Sequence, residues 1–204
     1  MPPSGRHPRA SGSRSGRLPA LAPSPEATIL EELRAVVGRV PASVSAEFVD
    51  RILAADQVFV VGRGRTGLIA GAFAMRLMHL GLHVFIEGEI TTPRIGPRDL
   101  LVACSGSGAA RTVQQMAAIA RRERAAIVAV SYAEDPPIAR EADVVVRIPT
   151  PNLRAAGAAR RSAQPLGSLF EQALLVYFDG LVLRLMERLR VDPDDMAGRH
   201  TNLE

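Results

Sequence analysis

Short runs of apolar residues alternate with stretches of helical periodicity along most of this chain, and this alternation limits the folds open to it. Continuous Val, Ile and Leu runs are typical of parallel strands buried on both faces, with helices as the crossover connections. The pattern predicts an α/β fold, a single doubly wound domain of about five parallel strands flanked by helices. The predicted strands are Val58–Val61, His83–Ile86, Leu100–Cys104, Ile127–Val130 and Val144–Ile148.

Helical periodicity marks the segments around these strands. Apolar residues between positions 26 and 55 recur at the spacing of two helices, which Pro41 divides. Further helices are expected at roughly 66–80, 108–122, 136–142 and 169–189, and a flexible connection at 149–164. A chain of 204 residues leaves room for one core, so one domain is expected over residues 26–204, including the N-terminal helices and the C-terminal helix.

The first 25 residues differ in composition from the rest of the chain. They are rich in Pro, Gly, Ser and Arg and are predicted to be disordered, because they bury too little apolar surface to offset the entropy of ordering. Their four arginines account for the formal net charge of +4. The near-neutral remainder favours no nucleic-acid partner, although a tether to nucleic acid or a membrane through the tail stays open. The sequence shows neither a signal peptide nor a stretch of transmembrane length, so a cytoplasmic location is expected.

The chain contains no lysine, since all 25 of its Lys-or-Arg positions are arginine. This composition excludes Schiff-base chemistry through a lysine and a lysine-containing phosphate loop. Because Cys104 is the one cysteine, an internal disulfide and a cysteine-based metal cluster are excluded. Its position at the end of an apolar run indicates a core thiol. An anion would have to be bound by arginine, hydroxyls, backbone amides or a helix N-terminus.

Two loops rich in Gly and Ser follow the first and third predicted strands. Gly62–Gly67 has the spacing G-x-G-x-x-G between a strand and a helix, and Ser105–Gly108 also lies between a strand and a helix. Open α/β sheets bind ligands at the carboxyl ends of strands where the winding reverses, so the loops predict a site for a small phosphorylated metabolite. Because Glu87 lies about 20 residues beyond the first loop, a Rossmann-type nucleotide-binding protein is an alternative.

Six segments of the chain, in order, resemble the 6-phospho-3-hexuloisomerase branch of the sugar isomerase (SIS) domain family. They are Val58–Gly67, Phe73–Gly81, Gly88–Glu89 with Thr92–Arg94, Ser105–Gly108, Pro165–Glu171 and Arg199–Glu204. The resemblance covers roughly residues 26–204. It implies an SIS-type domain, a homotetramer, and a phosphorylated hexulose substrate. The implied reaction interconverts 3-hexulose 6-phosphate and fructose 6-phosphate through an enediol, without metal or organic cofactor.

The resemblance also implies roles for particular residues. Glu171, in an otherwise apolar helical stretch, is the expected catalytic base. His200 in the terminal motif or His79 at a helix end is expected to act in ring opening or proton transfer, because SIS isomerases commonly use a histidine from a neighbouring subunit. The expected substrate- and phosphate-binding residues are Arg65, Thr66, Ser105, Gly106, Ser107, Gly108 and Thr112, with Arg94 as a further candidate.

One departure from the family pattern follows the second loop. Relatives usually have Glu-Thr after S-G-S-G, whereas this chain has Ala109 and Ala110. A hydroxyl and a carboxylate are therefore missing, and Thr112 is the nearest hydroxyl that could compensate. The departure keeps open a non-catalytic SIS module that binds a sugar phosphate.

Overall fold

The computed structural model of this protein describes residues 24–151 and 162–203. The expectations for the tail up to residue 23 and for most of the 149–164 connection concern residues outside this range. The helices are α1 (Pro25–Val37), α2 (Ala42–Ala54), α3 (Gly64–His79), α4 (Arg111–Arg122), α5 (Ser168–Leu189) and α6 (Pro193–Ala197). The strands are β1 (Val58–Val61), β2 (Val84–Ile86), β3 (Leu100–Cys104), β4 (Ala126–Ser131) and β5 (Val144–Arg147).

The five strands form one parallel sheet in the order β2-β1-β3-β4-β5. Val58 of β1 is level with Val84 on one side and with Leu100 on the other. The chain leaves β1 towards one edge of the sheet and leaves β3 towards the other, so the winding reverses between these two strands. This arrangement confirms the predicted doubly wound α/β fold, and its strand order differs from that of a dinucleotide-binding Rossmann sheet.

Alternate residues of the strands point into two separate apolar cores. Val60 and Val102 face the larger core, which α1, α2, α3 and α5 cover. Phe59 and Leu101 face the smaller core, which α4 covers. Because both faces of the sheet are buried, every position of β1 and β3 is apolar and buried.

Helix α5 spans 22 residues and crosses the larger core beside α3. Phe178 of α5 and Phe73 of α3 stack with ring centroids 4.1 Å apart and planes 8° apart, and both side chains are buried. Neither α5 nor any other helix within residues 24–151 and 162–203 is long and apolar enough to cross a lipid bilayer.

Two predicted helices differ from the observed ones. The segment predicted as a helix at 136–142 contains a short 3₁₀ helix, Pro137–Arg140, because the prolines at its start remove amide donors. Helix α4 begins at Arg111 and not at 108, because Gly108 has a positive φ of 68° that does not fit a helix. The second Gly/Ser loop is therefore separated from the helix by Ala109 and Ala110.

The single cysteine offers a direct test of the larger core. Cys104 is fully buried, and burial raises the pKa of its thiol to about 12. We expect alkylation by iodoacetamide at pH 8 to be slower in the folded protein than in denaturant by at least about 1000-fold, the reduction in thiolate that this pKa imposes. Mass spectrometry of the labelled chain would measure both rates, and equal rates would contradict the buried position of Cys104.

Candidate active site

The first Gly/Ser loop closes through backbone contacts that only glycine permits. A Cβ atom on Gly62 would lie 2.9 Å from the Cα of Gly67, and one on Gly67 would lie 2.8 Å from the carbonyl oxygen of Gly62. Gly64, at the start of α3, has a positive φ of 58°. These constraints bring the first turn of α3, with Arg65 and the buried Thr66, against the carboxyl end of β1.

The second loop is fixed by contacts with the end of β4. The carbonyl of Gly106 accepts hydrogen bonds from the Ser131 hydroxyl at 2.7 Å and the Tyr132 amide at 2.9 Å. A Cβ atom on Gly106 would lie 2.8 Å from the Tyr132 ring. The loop turns back where the Gly108 amide donates to the carbonyl of Ser105, a buried residue.

Helix α4 begins beyond the second loop without a side-chain cap. Ala110 is its N-cap residue and has no side-chain oxygen to accept from the first-turn amides, while Thr112 lies half-buried within that turn. The Ser107 hydroxyl accepts a hydrogen bond of 3.3 Å from the Ala109 amide. The serine thus stands near the helix N-terminus, whose unpaired amides favour an anion.

Glu171 lies in the first turn of α5, at the same edge of the sheet as the two loops. Its side chain is 16% exposed, and its Oε2 atom is 3.2 Å from Nη1 of Arg65. The same Nη1 atom donates to the Ser168 hydroxyl at 2.9 Å. Phe170 packs edge-on against Tyr132, with ring centroids 5.5 Å apart, so the start of α5 also contacts the residues that hold the second loop.

The structure therefore gathers one group of the residues predicted from the sequence. This group lies at the carboxyl edge of β1 and β3 or on the first turns of α3, α4 and α5, and consists of Arg65, Thr66, Ser105, Gly106, Ser107, Gly108, Thr112 and Glu171. Sequence reasoning did not predict that Ser131 and Tyr132 hold the second loop or that Ser168 accepts a hydrogen bond from Arg65. Ser168 carried a signal, since it belongs to the same family motif as Glu171, whereas Ser131 and Tyr132 carried none.

The two candidate histidines lie together at the opposite edge of the sheet. Their rings stack with centroids 5.3 Å apart, His79 at the end of α3 and His200 after α6. Arg199 supports this contact, because its Nη1 atom donates to the His79 carbonyl at 3.1 Å. Helix α3 is 16 residues long, which separates this pair from the loops by about 24 Å within one chain.

Burial distinguishes the two histidines. His79 is 3% exposed, whereas His200 is exposed. Burial, the positive charge of Arg76 and the neighbouring His200 together hold the pKa of His79 below its ordinary value. Its Nδ1 atom lies 3.4 Å from Nη1 of Arg76, which fits a neutral ring that accepts at Nδ1. Of the two, His200 is the ring that another molecule can reach.

Two further residues singled out in the sequence have other partners. Glu87 forms an ion pair of 2.6 Å with Arg63. Arg94 forms one of 2.6 Å with Glu123, which follows the end of α4, so it lies away from the two loops. In the part of the chain that the structure describes, no group of three or more His, Cys, Asp or Glu side chains is placed to hold a metal ion.

Comparison with known proteins identifies the family to which this fold and site belong. Residues 51–175 match the SIS domain, and the chain is a member of the SIS domain family. The structure is similar to a crystal structure of a Methanococcus jannaschii protein, with a TM-score of 0.76, 28% identity and coverage of 87% of this chain and 97% of that one. For that archaeal protein, the crystal structure infers a molecular function of 3-hexulose-6-phosphate isomerase.

Curated relatives bear the name of the same enzyme. A 3-hexulose-6-phosphate isomerase of Bacillus subtilis is 37% identical over 178 residues, which are 87% of this chain and 96% of that protein. One of Mycobacterium gastri is 38% identical over 176 residues, 86% of this chain and 88% of that protein. The sugar isomerase domain of an RpiR transcription factor from Sphaerobacter thermophilus has the same fold, with a TM-score of 0.65 and 23% identity over 84% of this chain and 90% of that one.

The lowered pKa of His79 predicts how stability depends on pH. Because the unfolded chain binds a proton to this histidine more readily than the folded chain does, the free energy of unfolding should decrease as the pH falls through about 6.5. A His79→Phe variant keeps a ring in the stack and removes the titrating group, so its stability should fall less between pH 7.5 and 5.5. Urea unfolding of both proteins would measure this difference, and equal decreases would contradict the neutral state of His79.

Proposed function

We propose that this protein interconverts 3-hexulose 6-phosphate and fructose 6-phosphate without a metal or organic cofactor. The relatives of that name, 37% and 38% identical over most of the chain, support the reaction. The observation that carries the proposal is the position of Glu171. This half-buried carboxylate lies next to Arg65 where α5 meets the two Gly/Ser loops.

The two loops are proposed to bind the phosphate group. The hydroxyls of Ser105 and Ser107 would donate to its oxygens, and Gly106 and Gly108 let the loop pack against Tyr132 and Pro136, where a Cβ atom would clash. Thr66 and Thr112 add hydroxyls from the first turns of α3 and α4. Arg65 would contribute a permanent positive charge, since an arginine stays protonated over the whole working pH range.

Glu171 is proposed to move the proton between carbon atoms. In 3-hexulose 6-phosphate the carbonyl is at C3, so the carboxylate would remove the proton from C2 and leave an enediol across C2 and C3. Return of that proton to C3, with transfer of the C2 hydroxyl proton to the oxygen on C3, gives the C2 ketone of fructose 6-phosphate. The overall change is an isomerisation, which consumes no oxidant or reductant.

His200 is proposed to assist this transfer from a second copy of the chain within a homotetramer. Its separation from Glu171 within one chain supports action between copies. Apolar side chains on the outer face of α3 support association, because Leu68, Met75 and Met78 are 75%, 44% and 40% exposed. We further propose that the described helices and strands form one domain and that the protein acts in the cytoplasm, as expected for a metabolic enzyme.

The proposed base can be tested by replacing it. In deuterated water the wild-type protein should exchange the carbon-bound proton next to the carbonyl of fructose 6-phosphate, as followed by NMR. A Glu171→Gln variant should lose about 10²–10⁴-fold in this rate, because the amide cannot accept the proton. Glu187→Gln, at an exposed position of the same helix, is the matched control and should exchange at the wild-type rate. Exchange in Glu171→Gln at the wild-type rate would exclude Glu171 as the base.

A mixing experiment tests the shared site. Glu171→Gln and His200→Ala should each be inactive or nearly so, whereas oligomers that contain both variants should recover activity. Random mixing in equal amounts reunites an intact Glu171 with an intact His200 in about one site in four. Co-expression with two affinity tags would isolate the mixed oligomers, and light scattering would give their mass. Absence of recovery in verified mixed oligomers would contradict a site shared between copies.

A further inference from the structure

A carboxylate on α1 holds the segment that leads into α5. Glu32 Oε2 accepts hydrogen bonds from Ser162 Oγ at 2.8 Å and from Gln164 Nε2 at 2.9 Å, and Glu32 Oε1 accepts one from the Ala163 amide at 2.7 Å. Ser162 and Gln164 are only 5% and 4% exposed, so two of the three donors lie away from bulk water. Burial raises the pKa of Glu32, but the three hydrogen bonds outweigh it and the pKa lies below its ordinary value.

The residues between this contact and Glu171 form a tight turn. The Ser162 hydroxyl accepts a further hydrogen bond of 3.1 Å from the Gln164 amide. Pro165 has a fixed φ, and its carbonyl accepts from the Ser168 amide at 3.2 Å. Leu166 adopts a left-handed backbone conformation, with a φ of 51°, although its side chain is 84% exposed. Such a conformation persists only where the surrounding structure imposes it.

We propose that Glu32 is a positioning residue for Glu171. The Glu32 carboxylate fixes residues 162–167 against α1, and the turn then sets where α5 begins. This placement keeps Ser168 and Glu171 within hydrogen-bonding distance of Arg65. The inference rests on the proposed function, in which Glu171 is the base.

A small displacement of α5 would affect both contacts that its first turn makes with Arg65. Arg65 Nη1 contacts Ser168 Oγ at 2.9 Å and Glu171 Oε2 at 3.2 Å, and a shift of α5 by about 1 Å would break such contacts and can lower a rate by about 100-fold. The Ser105–Gly108 loop is held by hydrogen bonds from Ser131 and Tyr132 at the end of β4, and none of these bonds involves α1 or α5. Loss of the Glu32 contact should therefore lower kcat more than it changes KM.

The test is a Glu32→Gln variant of the full chain, which keeps the side-chain volume but replaces one acceptor oxygen with an NH₂ donor. We expect kcat for fructose 6-phosphate to fall about 10- to 100-fold, with KM within about twofold of wild type. Hydrogen exchange of the amides of Ala163, Gln164 and Ser168, which are hydrogen-bonded in this segment, should become faster. Ser162→Ala removes one of the three donors and should give a smaller change of the same kind. Glu31→Gln, at an exposed position on the same helix, should match the wild type.

The outcomes separate a positioning role for Glu32 from a contribution to stability alone. A wild-type kcat in Glu32→Gln despite faster amide exchange would overturn the proposal, and so would unchanged exchange. If Glu32→Gln does not fold, a wild-type kcat in Ser162→Ala would overturn it. Failure of the proposed function would appear differently, as absence of turnover by the wild-type protein, while the exchange rates would still test whether Glu32 anchors the turn.

Discussion

Parallel pairing of β1 with β3 is the constraint on which the rest of the structure depends. The two strands are neighbours, yet the chain leaves them in opposite directions across the sheet. Since crossover connections are right-handed, opposite directions place α3 on one face of the sheet and α4 on the other. The starts of these helices diverge at this point, where open α/β sheets bind their ligands, and both Gly/Ser loops lie there. The position of the candidate site thus follows from the strand order alone, before any side chain is considered.

The sequence predicts the fold well because its signal is strong at each strand. Runs such as Leu100–Cys104 are apolar throughout. This pattern is typical of strands that are covered on both faces. The exceptions are local. Gly108 delays the start of α4 to Arg111 because its backbone is left-handed, and Pro136 and Pro137 shorten the helix that follows β4. Neither effect alters the apolar spacing on which the prediction of the helices rests.

The site is harder to predict than the fold, because spacing along the chain does not show which edge of the sheet a residue occupies. His79 and His200 are far apart in sequence and stack in space, while both lie at the opposite edge from Glu171. Glu32 is equally hidden in the sequence, where it is one of two adjacent acids on a helix. Its three donors come from residues 162–164, a contact that no helical periodicity reveals.

The length of α5 relates the position of Glu171 to that of α6 and His200. This helix of 22 residues begins with Ser168 and Glu171 at the carboxyl edge and ends where the chain turns towards α6 and His200. It therefore sets the distance between the two edges. Deletion of one residue would shorten it by about 1.5 Å and rotate everything beyond the deletion by about 100° around the helix axis. A substitution on the exposed face of the helix leaves this spacing unchanged, whereas an insertion or deletion changes how α6 and His200 are oriented relative to Glu171.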